Sequence, residues 1–403
     1  MHHHRPARRA RTRLWQLAAV LLLGVAAYVV IGRQVMQLAP RWHEPLETRL
    51  AEQLGTPLEI GSLAGRMDGL SPVLELNRVR LPAPGGTPLV LDQVVLTLDL
   101  LPSLVERKPR LRRLLIRGAE LELTRTAEGF SLQGLETRRD PPSLRQILTW
   151  MYRQNRVVLD EVRLSLNWPG MPRLQTRDLE LALANSGHRH RISLRAASLD
   201  GERQLDLRLA LDRDVFRWSE FDGDLFVELS GSGWQRWVDA GWSWPVRPER
   251  IEGRVSVWAE LAGGEPRTAT VRMGLDRLDL HDRRNDSRWT LSSAASLARL
   301  DNLESGYRLS LQQMQLESAR GDWQARELGL YWNGRRDRAL RWHMMARDFD
   351  LADTRAQLLG VPFATAPRLD TWRERLRELQ PSGRITRLRL AGDGDGVDAF
   401  GGE

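Results

Sequence analysis

Residues 204–212 read QLDLRLALD, with Leu205, Leu207, Leu209 and Leu211 on alternate positions and Asp206, Arg208 and Ala210 between them. Successive side chains of a strand point to opposite faces, so a period of two makes a strand with one apolar face and one mainly polar face. Upstream, Val94, Leu96, Leu98 and Leu100 carry the same pattern, followed by Leu121 and Leu123, by Val162, Leu164 and Leu166, and by Leu179, Leu181 and Leu183. Downstream it returns in Leu225, Val227 and Leu229, in Val255, Val257 and Ala259, and in Leu309, Leu311, Leu328 and Leu330. Turn residues separate the runs, as at 84–86, 185–187, 222–224 and 263–266. About 18 to 20 such segments predict an antiparallel meander, because strands of a parallel sheet are apolar on both faces.

Helical spacing is rare. WHEPLETRLAEQLGTP, residues 42–57, places Leu46, Leu50 and Leu54 four apart, with Pro45 in a first turn and Gly55 and Pro57 as a stop. PPSLRQILTWMYRQN, residues 141–155, carries a capping-box pattern at Ser143 and Gln146. RLDTWRERLRELQP, residues 368–381, has Leu369, Trp372, Leu376 and Leu379 on one stripe, and GWQRWVDAGW, residues 233–242, is a weaker candidate.

The longest apolar run, LWQLAAVLLLGVAAYVVI, spans residues 14–31, and its eighteen residues give roughly 27 Å of helix, close to the hydrocarbon thickness of a bilayer. Arg5, Arg8, Arg9, Arg11 and Arg13 precede it, whereas only Arg33 and Arg41 follow nearby, so the positive-inside rule puts the N-terminus in the cytoplasm and the bulk of the chain across the membrane. The run is longer than a signal-peptide core and no good cleavage site follows it, which favours an uncleaved anchor.

Sixty basic against 52 acidic residues leave a net charge of +8, much of it in the N-terminal flank. Elsewhere Arg and Asp or Glu share polar strand positions, as Asp206 with Arg208 and Glu252 with Arg254, which describes a solvated sheet face and not a nucleic-acid patch. The chain has no cysteine, which removes disulfides, zinc ribbons and thiol catalysis. No GxSxG, GxxxxGK[ST] or HExxH pattern is present, and His188 and His190 lack ligand partners at metal spacing, so they are expected as exposed histidines. The expectation is a protein with no catalytic residues, no metal and no cofactor.

What remains is the apolar face. It reads either as the core of a β-sandwich or as the wall of an open groove for acyl chains. A lipid tail of about 15 methylenes gains roughly 12 kcal/mol on leaving water, so a continuous apolar track is worth building.

The order of features resembles the AsmA-like superfamily, and most closely its YhdP branch. The resemblance rests on the Arg-rich flank, the single span with Gly32 and Arg33, and a signature of Gly55, Pro57, Ile60, Gly61, Leu63, Gly65, Gly69, Leu70, Pro72, Leu74, Leu76, Val79 and Leu81, with Met67 where an aromatic residue is common. FDLADTRAQLLG at 349–360 and PSGRITRLRL at 381–390 are also similar to that branch. The resemblance implies an inner-membrane anchor, a long twisted antiparallel β-sheet forming an elongated hydrophobic groove in the periplasm, and a part in carrying phospholipid toward the outer membrane. It also implies that this chain is the membrane-proximal portion of a longer protein.

The lipid-groove residues expected on this reading are Val94, Leu96, Leu98, Leu121, Leu123, Val162, Leu164, Leu166, Leu179, Leu181, Leu183, Leu205, Leu207, Leu209, Leu225, Val227, Leu229, Val255 and Val257. The partners implied are phospholipid, the inner membrane and other envelope proteins. The rival is a periplasmic scaffold or outer-membrane assembly factor with a closed β core. The expected divisions are a basic flank (1–13), the anchor (14–32), a membrane-proximal helix (33–56), an N-terminal β region (57–142), a helical insertion (143–156), an extended β region (157–350), a second insertion (351–381) and the start of a further β segment that gives way to a tail (382–403).

Overall fold

Most of the alternating apolar residues have become strands, but Leu100, expected to continue the strand of Val94, Leu96 and Leu98, instead begins a short helix. The computed structural model of the chain describes residues 6–54, 57–82, 88–106, 110–126, 129–132, 149, 151–152, 154–167, 169, 173–197, 203–212, 221–232, 246–283, 286–303, 306–333, 340–360 and 374–394. It is mostly β, with an open antiparallel sheet and a few helices. Seventeen strands lie among the described residues. The candidate helix at 233–242, most of that at 141–155 and the tail after 394 lie outside them. Two compact units divide the chain, Met1–Ser165 with Leu181–Asn185, and Leu166–Glu180 with Ser186–Glu403.

In the first unit, helix α1 (Pro6–Gln37) contains the apolar stretch Trp15–Gln37, long enough to cross a membrane. Leu17, Leu21, Leu22 and Leu23 on it are 70–71% exposed, so this part of the helix is not packed into the protein. A 3-10 turn (Ala39–Trp42) leads into α2 (His43–Leu54). Then come β1 (Glu59–Asp68), β2 (Ser71–Leu81), β3 (Leu89–Leu98), the short α3 (Leu100–Glu106), β4 (Leu111–Thr126), β5 (Gly129–Leu132) and β6 (Arg156–Asn167). Strands β1 to β5 pair antiparallel in chain order, and β6 also joins β4.

The end of α1 rests on β1 because of two glycines. A Cβ on Gly65 would meet the backbone oxygen of Met36 at 2.5 Å and Cβ of Ala39 at 2.7 Å, and one on Gly32 would meet Sδ of Met67 at 3.1 Å. Helix α2 lies on the apolar side of the strands. Its Leu46, Leu50 and Ala51 pack on a core of Leu58, Ile60, Leu63, Leu76, Val79, Leu81 and Leu89. It also occupies the free edge of β1, where Ile60 donates its N–H to the Glu47 carboxylate and accepts a bond from the His43 ring, each 2.5 Å.

That core departs from strict period two. Ile60 and Leu63, Leu76 and Val79, and Leu91 and Val94 are each three apart, yet all six pack in one cluster. Left-handed residues make the phase slip, with φ of 53° at Arg78 and 65° at Gly118. Gly118 is required there, since a Cβ would sit 2.1 Å from Oδ2 and 2.7 Å from Cβ of Asp92. Similar positive φ values at Glu161 and Asp178 recur in β6 and in β7 (Leu174–Ser186).

In the second unit the strands are β8 (Arg189–Ala197), β9 (Arg203–Asp212), β10 (Asp222–Ser232), β11 (Val246–Ala262), β12 (Glu265–Asp282), β13 (Ser287–Leu303), β14 (Gly306–Ser318), β15 (Gly321–Trp332), β16 (Leu340–Asp350) and β17 (Arg384–Gly394). Each pairs antiparallel with the next. Strand β17 is more regular than its composition suggests, because pairing with β16 continues through Gly394, opposite Leu340.

Helix α4 (Leu351–Gly360) is capped by Asp350, whose Oδ1 accepts from the N–H of Ala352 at 2.7 Å and of Asp353 at 3.1 Å. The buried Gln357 amide of α4 donates to Ser318 Oγ at 3.0 Å and to the Gly321 carbonyl at 2.7 Å, and Trp323 Nε1 donates to Thr354 Oγ1 at 2.8 Å. These bonds seat α4 over the β14–β15 turn, with Leu351 packed against the cluster of Ala325, Ala346 and Phe349.

Candidate functional site

Two apolar rows cross the second unit in register. One runs Leu194, Leu207, Val227, Val257, Val271, Ala298, Leu311, Leu328, Ala346 and Leu388, one residue from each of ten strands. The other runs Ile192, Leu209, Leu225, Ala259, Ala269, Leu300, Leu309, Leu330, Met344 and Leu390. Directly paired residues of an antiparallel sheet share a face, so both rows lie on one surface. At about 4.8 Å between strands, nine steps give a band roughly 43 Å long. A shorter third row, Ala196, Leu205, Leu229, Val255 and Met273, widens it.

These residues are half-buried, apart from the buried Ala196 and Ala346 and from Leu390, which is 43% exposed. Lateral neighbours on adjacent strands produce that degree of burial, whereas a second sheet packed on top would bury most of them fully. Hydrophobic clusters in this unit show strand neighbours over most of the face and a helix at one end. Ile251, Leu275, Leu291 and Ala294 cluster with neighbours from β10 to β14, and Ala325, Ala346 and Phe349 with neighbours from β14 to β17 and from α4.

The structure therefore gathers Leu205, Leu207, Leu209, Leu225, Val227, Leu229, Val255 and Val257 on one face. Val94, Leu96 and Leu121 lie together in the first unit, packed on the core that α2 covers. Leu98 stands opposite Leu111 at the end of β3, and Leu123 opposite Leu132. On β6, Val162 is fully buried while Leu164 and Leu166 are half-buried. On β7, Leu179 and Leu183 are buried and Leu181 is half-buried. Arg8, Arg9, Arg11 and Arg13 belong to the first turns of α1, which is helical ahead of the apolar stretch.

The opposite face is ionic. Arg208 reaches Asp206 at 2.7 Å, Arg250 reaches Glu252 at 2.6 Å, Arg277 reaches Asp279 at 2.9 Å and Arg299 reaches Asp301 at 2.9 Å, each pair two residues apart on one strand. Arg254 turns instead to Glu228 on the next strand, at 3.7 Å. Burial alone would raise the Asp279 carboxyl, but hydrogen bonds from Arg277 and from Thr290 outweigh it and hold the group below its ordinary value. The same contact raises the Arg277 guanidinium. Within this polar face the rings of Phe226 and Trp258 meet at a tilt of 42° with centroids 5.5 Å apart, flanked by Arg208 and Arg272. Their signal in the sequence is an aromatic residue at a polar-phase position of each strand.

His188 is exposed, but His190 is buried, opposite Leu211, which corrects the expectation of two exposed histidines. Among the described residues no group of three or more His, Asp or Glu side chains is placed to hold a metal ion.

An apolar helix long enough to span a bilayer, followed by an open antiparallel sheet, defines a class of mostly β proteins whose first helix fits a single membrane span. The family model described as YhdP protein matches residues 1–399, and the chain belongs to that family. No curated protein and no solved structure matches it.

Proposed function

We propose that the protein shields phospholipid acyl chains along its apolar sheet face while headgroups remain in water, as the inner-membrane-anchored, periplasmic part of a route between inner and outer membranes. The observation that carries this reading is the pair of ten-strand apolar rows, most of their residues half-buried beside lateral neighbours, with α4 joining the band only toward its β15–β17 end among the described residues. Each methylene transferred from water to such a band gains about 0.8 kcal/mol, so several rungs acting together hold a tail without any covalent chemistry. Membership of the YhdP family and the anchor-length helix support an envelope setting. The arginines ahead of Trp15 support a cytoplasmic N-terminus.

A photoreactive residue at Leu207 or Leu164 tests the proposal in cells. Phospholipid crosslinked to the chain is the expected product, and it disappears when Val257→Asp places a carboxylate in the middle of the band. Crosslinks to protein alone, with the sheet intact by circular dichroism, would favour the closed scaffold and refute lipid carriage.

A further inference from the structure

The tip of the β1–β2 hairpin is tied to the side of the membrane-length helix. Tyr28 Oη donates to the Leu70 carbonyl at 2.9 Å. Tyr28 lies within the apolar stretch Trp15–Gln37, five residues before Arg33, which is roughly 7.5 Å of helix rise. If Arg13 and Arg33 mark the two headgroup levels, about 30 Å apart along the helix, the hairpin tip sits below the nearer level.

The chemistry of this end fits that depth. Leu70 is 54% exposed, and Val105 of α3 is 84% exposed. Helix α3 belongs to the same end, because β3 leads into it directly after Thr97 and Leu98, which pair with Arg113 and Leu111, and Arg112 donates to Ser71 at 3.2 Å. Val35, Leu38 and Trp42, 37–43% exposed, add apolar surface where the chain leaves α1. A backbone carbonyl away from water needs a partner, and the Tyr28 hydroxyl supplies one to Leu70. Asp68 in the same turn limits the depth, since a carboxylate is costly in hydrocarbon.

We infer that Leu70 of the hairpin and Val105 of α3 form a rim inserted at the boundary of headgroups and acyl chains, in the leaflet of the bilayer that α1 crosses on the sheet's side. The partner is the lipid surface itself. The inference rests on α1 being a span and not on lipid carriage.

The chain has no cysteine, so single labels are clean. Leu70→Cys, Val105→Cys and Arg80→Cys, each carrying an environment-sensitive fluorophore, are placed in nanodiscs of phosphatidylethanolamine and phosphatidylglycerol containing lipids doxylated near the headgroup or near the tail end. Residue 80 is exposed at the far end of β2, roughly 30 Å from Ser71. Headgroup-proximal doxyl lipid is expected to cut emission at 70 and 105 about twofold, more than the tail-end probe does, and to leave position 80 unchanged. Emission at 70 and 105 matching that at 80 would overturn the inference. Asp68→Cys provides a second label if Leu70→Cys does not fold. Quenching at the rim without phospholipid crosslinks at Leu207 would keep this inference and remove lipid carriage, and the opposite pattern would do the reverse.

Discussion

Gly118→Ala should weaken the first unit by an amount that Asp92 controls. Gly118 has a φ of 65°, and its missing Cβ leaves space that the Asp92 side chain fills, with Oδ2, Cγ and Cβ at 2.1, 2.6 and 2.7 Å from the position a Cβ would take. The left-handed conformation costs a non-glycine residue about 1 kcal/mol, and the collision adds about 1 to 3 kcal/mol because the nearest atoms include Asp92 Cβ, which rotation of the carboxylate cannot move away. The variant is therefore expected to lose about 2 to 4 kcal/mol. In an Asp92→Gly background only the conformational part, about 1 kcal/mol, should remain. Hydrogen–deuterium exchange of peptides from β3 and β4, in the detergent-solubilised full chain, reads the local opening free energy. Exchange about two orders of magnitude faster in Gly118→Ala, reduced to about one order by the second substitution relative to Asp92→Gly alone, is the expected outcome. Additive effects of the two changes would refute the steric account of the phase slip.

Gln357→Ala leaves the Gly321 carbonyl without its α4 donor, so exchange in α4 should quicken by about one to two orders of magnitude, a loss of about 1 to 3 kcal/mol, with β8 to β12 unaffected. Asp279 is held below its ordinary carboxylate value, so its contribution to stability is present above the unfolded-state pKa and fades as pH falls through the folded one. Asp279→Asn should accordingly destabilise the chain near neutral pH, and the gap from wild type in urea titrations should close on the acid side of the ordinary carboxylate range. A gap that widens with acid would contradict that sign.

Much of the second unit was legible because antiparallel pairing keeps period two within Leu205–Leu211, Leu225–Leu229 and Val255–Ala259, so rows predicted strand by strand meet as rows in space. The first unit was less legible. Period-two templates assign Val94 and Leu96 correctly to one face but cannot see that Leu91 joins them, because the slip depends on left-handed backbone at Arg78 and Gly118 in neighbouring strands. Arg78, Glu161 and Asp178 carry positive φ without the glycine that usually announces it. The apolar stripe of α2 was visible, but its seat on the core of Ile60, Leu63, Leu76 and Val79 depends on the pairing of β1 with β2 and not on the stripe itself. The run of glycine and aspartate after Leu390 hid the last residues of β17, whose pairing to β16 comes from the backbone and not from side chains.

Each of the ten strands contributes a single plank to either apolar row. A floor laid that way has little room for a detailed code: leucine, valine, alanine and methionine already alternate along it, and exchanging one for another alters under 5 Å of its length. On the proposed reading such a surface would discriminate by greasiness and by reach, and would tolerate sequence drift that would ruin a shaped pocket.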